Sequence, residues 1–306
     1  MADDELYEGL PTEQRNAGLR HLDTRDELEL VDLIHGQDRE ALEAVGRARR
    51  PIARAVRAAT RALAGGGRLI YLGAGTSGRL AALDAAECPP TFGTQPSRVV
   101  ALVAGGNRAL RRAAEGAEDS RADGRRTVRR LRVGPADLVC GVSASGVTPF
   151  VLGGLAEARR RGCPTVLVTC GTAERARQHA DTAICLEVGA ETVAGSTRMK
   201  AGLATKAVLH TLSTASMIRL GKVYDNLMVD VRPTSRKLMR RALRIVRQLT
   251  GVSEGRARRL LAESGGSPKV AAVIHHLGLS RRRARSVLAE HGGRLRAVIG
   301  EVTDEA

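Results

Sequence analysis

Two stretches of this 306-residue chain combine glycine with hydroxyl side chains in a spacing that could do chemistry. The first, Gly73-Ala74-Gly75-Thr76-Ser77-Gly78, has the form G-x-G-x-x-G. In dinucleotide-binding proteins that form joins a strand to a helix, and a carboxylate for the ribose follows about 20 residues later. Here the next apolar run ends Leu102-Val103-Ala104-Gly105-Gly106-Asn107, without a carboxylate. The loop instead carries the hydroxyls of Thr76 and Ser77, followed by Arg79. Backbone N–H groups at a helix start, joined by hydroxyl donors, suit a terminal phosphate better than a pyrophosphate. The second stretch, Gly141-Val142-Ser143-Ala144-Ser145-Gly146-Val147-Thr148-Pro149, repeats the chemistry with Ser143, Ser145 and Thr148. Its Pro149 suits the first turn of a helix. Ser and Thr also cap helices, which accounts for either loop singly but poorly for the pair.

The surrounding pattern supplies the elements that would position these loops. Short β-rich runs at 68–72, 98–104, 137–142, 165–169 and 182–188 alternate with helix-compatible segments at 78–87, 110–131, 149–161 and 173–179. That alternation predicts an α/β fold with a parallel sheet covered on both faces. Ligands of such sheets bind in the crevice at the carboxyl ends of the strands, so the two loops should converge there. Before the sheet, residues 1–24 are polar and read as an arm, and 26–64 show helical periodicity that stops at Gly65-Gly66-Gly67. After it come helices over about 198–220 and 235–249. The tail repeats itself: Ser253 through Gly266 aligns with Ser280 through Gly293, which predicts two copies of one helix-turn-helix unit in a small bundle.

Composition narrows the class. Lys and Arg exceed Asp and Glu by 49 to 33, a formal charge of +16, which favours an anionic partner. Only five of those bases are Lys, and the Arg residues are spread along the chain. With five aromatics and no Trp, stacking platforms for nucleic acid are scarce, so the charge reads as solvated helix faces. The five cysteines, Cys88, Cys140, Cys163, Cys170 and Cys185, form no C-x-x-C and lie in or beside apolar runs, as buried thiols of a reducing compartment do. No metal site is expected, and no run reaches the ~18 apolar residues of a membrane span. The acidic start MADDELYEGL has no signal-peptide character, so the expected location is the cytoplasm.

The paired loops resemble the sugar isomerase (SIS) domain, and their flanks resemble a narrower family. Tyr71 through Leu80, Leu83-Asp84-Ala85-Ala86-Glu87-Cys88-Pro89-Pro90-Thr91-Phe92-Gly93 and Glu115-Gly116-Ala117-Glu118-Asp119-Ser120 are similar to the N-acetylmuramic acid 6-phosphate etherases. So are Ala104-Gly105-Gly106, Gly195-Ser196-Thr197-Arg198-Met199-Lys200-Ala201-Gly202, Asn226-Leu227-Met228-Val229-Asp230-Val231 and Thr12-Glu13-Gln14-Arg15-Asn16. The likeness runs in order over nearly the whole chain. It departs at Val147, where relatives often carry Arg, and conservatively at Phe150.

The resemblance implies an SIS-type five-stranded parallel sheet flanked by helices, with N-terminal helices and a small C-terminal helical bundle. Its implied divisions are an arm with helices over 1–58, the phosphosugar domain over 59–222, and a helical region with a ubiquitin-associated-like bundle over 223–306. It implies cleavage of the D-lactyl ether of N-acetylmuramic acid 6-phosphate by elimination and water addition, giving N-acetylglucosamine 6-phosphate and D-lactate in cell-wall sugar recycling. No cofactor is implied, and the partner is a second copy in a homodimer. Glu87 falls where the family has the proton donor to lactate, and Glu118 where it has the second acid/base group, the C2 base. Glu115 would share a helix face with Glu118. Gly75, Thr76, Ser77, Gly78, Ser143, Ser145 and Thr148 are the expected phosphate and sugar contacts. Ser196, Thr197 and Lys200 either meet the substrate's anionic groups or cap a helix. The alternative is a non-catalytic phosphosugar-binding regulator of the same ancestry, which the presence of both glutamates disfavours. An SIS transcription factor would carry an amino-terminal helix-turn-helix where this chain matches the etherase arm.

Overall fold

The computed structural model describes residues 9–112 and 114–302. The arm expected over 1–24 therefore lies partly outside the described residues; its described part carries 3₁₀ turns at Pro11–Glu13 and Leu22–Thr24. Two compact units divide the chain, one of residues 9–86 and 97–213, the other of 87–96 and 214–302. Among the described residues no helix is long and apolar enough to cross a membrane.

The first unit is built on five strands: β1 (Leu69–Gly73), β2 (Val99–Val103), β3 (Leu138–Val142), β4 (Thr165–Thr169) and β5 (Thr182–Cys185). Their order is β2-β1-β3-β4-β5 and every pairing is parallel. The three inner strands, LIYLG, LVCGV and TVLVT, are buried at every position. Helices on both faces require such continuous apolar runs. Side chains alternate across the sheet: Ile70 and Leu72 pack with Val128, Phe150 and Leu155, whereas the Tyr71 hydroxyl points the other way and donates to Asp84 Oδ2 at 2.7 Å.

Before the sheet come α1 (Glu27–Arg47), opened by an Asp26–Glu29 capping box, and α2 (Arg49–Ala64), stopped at Gly65. The strands are linked by α3 (Gly75–Phe92), α4 (Arg121–Arg130), α5 (Pro149–Arg160) and α6 (Ala173–His179), and followed by α7 (Lys200–Arg219). Helices α4 and α5 meet backbone to backbone. A Cβ on Gly124 would stand 1.9 Å from the Phe150 carbonyl oxygen, and one on Gly153 would stand 2.2 Å from that of Arg121. Behind this contact, buried Glu157 accepts from Arg160, Arg129 and Arg161, which hold its carboxyl below the usual carboxylate range.

Two local expectations are corrected. The segment 110–131 is not one helix: a 3₁₀ turn at Gly106–Leu110 gives way to turns over 115–118, and α4 starts only at Arg121. Gly116 at φ +72° breaks the periodicity, and the Ser120 hydroxyl caps α4 by accepting from Asp123 N at 3.1 Å. Glu115 and Glu118 consequently share a turn, not a helix face. Helix α3, in turn, begins three residues before the expected 78 and continues through Pro89 and Pro90 to Phe92, where Gly93 at φ +64° ends it.

The second unit packs α8 (Arg236–Thr250), α9 (Glu254–Glu263), α10 (Pro268–Leu277), α11 (Arg281–Glu290) and α12 (Leu295–Ile299) around one apolar cluster. The internal repeat is visible in it. Each copy runs from a serine through a ten-residue helix into two positive-φ glycines, Gly265-Gly266 and Gly292-Gly293. Ala257 and Leu261 are buried in one copy as Ala284 and Leu288 are in the other. Buried Lys269 ties the unit together, donating to Asp230 Oδ2 at 2.7 Å and to the carbonyls of Gly221 and Gly293 at 2.8 and 3.0 Å.

Among the cysteines four are buried and Cys185 is half-buried, and burial pushes the Cys163 and Cys170 thiols up to about 12.

At the foot of the sheet Arg68 and Asp137 form a bidentate pair, with Arg68 Nη2 2.7 Å from Asp137 Oδ2 and Arg68 Nε 2.9 Å from Oδ1. Burial opposes ionisation of Asp137, but Arg68 and the Gly134 N–H outweigh it and hold the carboxyl below its ordinary 3.8. The stability from that pair is therefore complete above the ordinary value and is lost as pH falls through the lowered one. Asp137→Asn should flatten the acid limb of a stability-versus-pH curve measured by urea unfolding. Gly124→Ala should cost about 1–3 kcal/mol or more, because the new methyl group meets backbone. Its urea midpoint should fall at unchanged slope.

Candidate active site

Glycine sets the first loop at the end of β1. A Cβ on Gly73 would lie 2.9 Å from Gly78 N, and one on Gly78 would lie 2.7 Å from Val103 Cγ1, so strand and helix can abut only without side chains here. Gly75 takes φ +52°, and the first in-helix bond of α3 is Gly78 N to the Ala74 carbonyl at 3.0 Å. The N–H groups of Gly75, Thr76 and Ser77 precede that bond, so the helix leaves them for an outside acceptor.

The second loop organises itself around one buried hydroxyl. Ser143 Oγ lies 2.7 Å from Thr148 Oγ1 and 3.3 Å from Ser145 Oγ, and it accepts from Gly146 N at 3.0 Å. Ser145 Oγ in turn accepts from Val147 N at 3.3 Å. Gly146 sits at φ +76°, and a Cβ there would also meet Thr169 Oγ1 at 2.7 Å.

The two loops face one cavity of about 220 Å³ at the carboxyl ends of β1 and β3. Of the residues expected from sequence, Gly75, Thr76, Ser77, Ser145, Thr148, Thr197 and Glu118 line it together. Glu118 also lines a smaller adjoining lobe of about 140 Å³ with Arg79, Glu115 and the methyl groups of Ala104, Ala109 and Ala114; Ala74 and Gly75 are common to both. Three others have structural work. Gly78 is buried in the strand–helix contact, Ser143 is the hub of its loop, and Ser196 N donates to the Val193 carbonyl at 2.9 Å in the approach to α7. Lys200 does not line the cavity: its buried Nζ donates to Gln37 Oε1 at 2.7 Å and Glu40 Oε2 at 2.8 Å on α1. Glu87 is an exposed residue of α3 in the second unit, eleven positions after Thr76.

Sequence reasoning missed three carboxylates. Glu13 lines the main cavity, its Oε2 occupying space that a Cβ on Gly195 would crowd at 2.8 Å, while Gly195 N donates to the Thr12 carbonyl at 2.9 Å. Its signal was present in the Thr12–Asn16 stretch, read only as an arm. Glu191 is fully buried and accepts from Lys200 N and Ala201 N at 2.9 and 3.0 Å, capping α7 from nine residues upstream. Burial raises its carboxyl and that of Asp84, which accepts from Tyr71 and Ser213 at 2.7 Å each and lies 3.6 Å from His210 Nδ1. Nothing in spacing alone marks a carboxylate that will be buried.

Ser143→Ala should cost about 1 kcal/mol, because it removes the hydroxyl paired with Thr148 Oγ1, while the Gly146 N–H keeps the Ser143 carbonyl at 3.1 Å. Ser77→Ala should stay within about 0.5 kcal/mol of the parent. Urea unfolding of both variants checks this difference.

A family model described as the glucokinase regulatory protein N-terminal SIS domain matches residues 51–159. A solved phosphoheptose isomerase from Francisella tularensis is 14% identical, with TM-score 0.46 over 63% of this chain and 100% of that one. The N-acetylmuramic acid 6-phosphate etherase of Gloeothece citriformis is 46% identical over 269 residues, 88% of each chain. The etherase of Microcystis aeruginosa is 46% identical over 290 residues, 95% of each. Likeness of that level over nearly the full length places this chain in the N-acetylmuramic acid 6-phosphate etherase family.

Proposed function

We infer that this chain cleaves the D-lactyl ether of N-acetylmuramic acid 6-phosphate, giving N-acetylglucosamine 6-phosphate and D-lactate in the recycling of cell-wall amino sugar. The observation that carries the reading is the meeting of Glu118 with two hydroxyl-rich loops in one cavity, in a chain 46% identical to etherases over 88% of its length. The regulatory alternative explains less, since its family model reaches only residues 51–159.

An ether oxygen is a poor leaving group, so the reaction runs as an elimination. The 6-phosphate is taken by the open N–H groups of α3 with Thr76, Ser77, Ser145 and Thr148. Once the sugar ring opens, the C1 aldehyde acidifies the C2 proton. Glu118 removes that proton; the electron pair forms the C2=C3 bond and the C3–O bond breaks. Glu87, assigned on the family resemblance, gives the departing lactate oxygen its proton. Water then adds across the double bond, hydroxide to C3 and a proton to C2, so one water is consumed per ether cleaved. Thr197 completes the polar wall, while Gly78, Ser143, Ser196 and Lys200 hold it in shape. The working form is a homodimer in the cytoplasm, and residues 59–222 act as the phosphosugar domain.

D-lactate release should require the 6-phosphate; comparable turnover of unphosphorylated N-acetylmuramic acid would refute the reading. Glu87→Gln should lower cleavage by ~10² or more, as loss of one acid/base group does. It should still exchange the C2 hydrogen of N-acetylglucosamine 6-phosphate with D₂O. Glu118→Gln should lose exchange and cleavage together, followed by proton NMR. The opposite pattern would reverse the two roles.

A further inference from the structure

We propose that Arg79 and the lobe around it form the receptor for the lactyl group, with the guanidinium taking the lactyl carboxylate. This rests on the etherase reading and adds the residue that would make the site specific for a sugar bearing an acidic ether. The lobe opens off the main cavity, sharing Ala74, Gly75 and Glu118 with it. Its chemistry differs. The main cavity is walled largely by hydroxyls; the lobe has none and is lined instead by four alanines, Gly75, the carboxylates of Glu115 and Glu118, and one cation, Arg79. A phosphate belongs with the hydroxyls and the helix amides. A lactyl group, with one methyl and one carboxylate, belongs with the alanines and Arg79.

Arg79 is half-buried and makes no ion pair or hydrogen bond among the described residues, although Glu115 and Glu118 line the same lobe. Two carboxylates around a small lobe repel an anionic substituent unless a cation receives it. An unpaired guanidinium there offers the planar, bidentate fork that fits a carboxylate. With phosphate in one compartment and the lactyl carboxylate in the other, the carbon chain from C6 to the C3 ether must cross the shared wall, which brings C3 and the C2 bonded to it near that wall. Glu118 is the only ionisable residue common to the two. The same placement that makes Arg79 a receptor thus sets the base beside the carbon it must deprotonate.

The test compares N-acetylmuramic acid 6-phosphate with its lactyl carboxamide, which keeps the ether and the methyl group but removes the charge. The parent protein should cleave the acid about 10 to 100 times more efficiently (kcat/KM), the worth of one charge-assisted pair. Arg79→Gln should lose that factor on the acid and treat the two substrates alike, and Arg79→Lys should recover part of it. C2 exchange of N-acetylglucosamine 6-phosphate, which has no lactyl group, reports whether the variants are folded. Equal cleavage of acid and carboxamide by the parent protein overturns the proposal without needing any variant. Discrimination that persists in Arg79→Gln overturns it too, and exchange that falls as far as cleavage assigns Arg79 to the phosphate instead. A parent protein that releases no D-lactate from the acid refutes the etherase reading itself.

Discussion

The close approach of backbone at the end of β1 is the constraint on which the site depends. With strand order β2-β1-β3-β4-β5, the chain leaves β1 toward one edge and β3 toward the other, so the topological switch point lies between them. The crevice opened there is useful only if both following segments turn sharply at its rim. Gly73 and Gly78 let α3 start against the strand, and Gly146 lets the second loop fold under Thr169. A side chain at any of these positions would push a hydroxyl-rich segment away from its partner. Glycine is thus used here for clearance as much as for flexibility.

The polar groups that hold this rim are largely buried and serve binding indirectly. Glu191 caps α7, and Lys200, the residue it caps, reaches back to α1. The segment carrying Thr197 is therefore fixed at both ends before any ligand arrives. Asp84 does the same for α3, joined to β1 through Tyr71 and to α7 through Ser213. Burial makes ionisation of both carboxyls unfavourable, which the neutral and backbone donors around them only partly offset. Such buried networks rigidify when fully satisfied, and a binding site made of short hydroxyl side chains needs that rigidity.

Much of this was legible in the sequence because burial on both faces writes strands as continuous apolar runs. All five strands fall within a few residues of their expected places, and the inner three are the purest runs. The two hydroxyl loops were legible for a related reason, since each follows such a run directly. What escaped was decided by long-range contact. Lys200 looked like a substrate ligand in sequence, but its partners Gln37 and Glu40 lie some 160 positions away. Glu13 sits on an arm with no periodicity, and long-range contacts such as the Thr12–Gly195 hydrogen bond and the burial of Leu10 and Thr12 hold it at the cavity. The helix expected over 110–131 failed because Gly116 and Ser120, both visible in the sequence, were outweighed by the apolar spacing around them.

That last failure bears on the chemistry. On a regular helix a carboxylate projects from one face and serves one groove. Glu118 stands instead on a turn set by Gly116 at φ +72°, and its own carbonyl accepts from Phe150 N at 2.9 Å, the second residue of α5. The turn is thereby tied to the helix that follows the second hydroxyl loop. A carboxylate so placed is tied to that loop's helix, and it borders both compartments of the cavity at once. An elimination asks for that arrangement, because the carbon losing its proton is bonded to the carbon that carries the leaving group. The break in the helix is what lets a single carboxylate stand at that boundary.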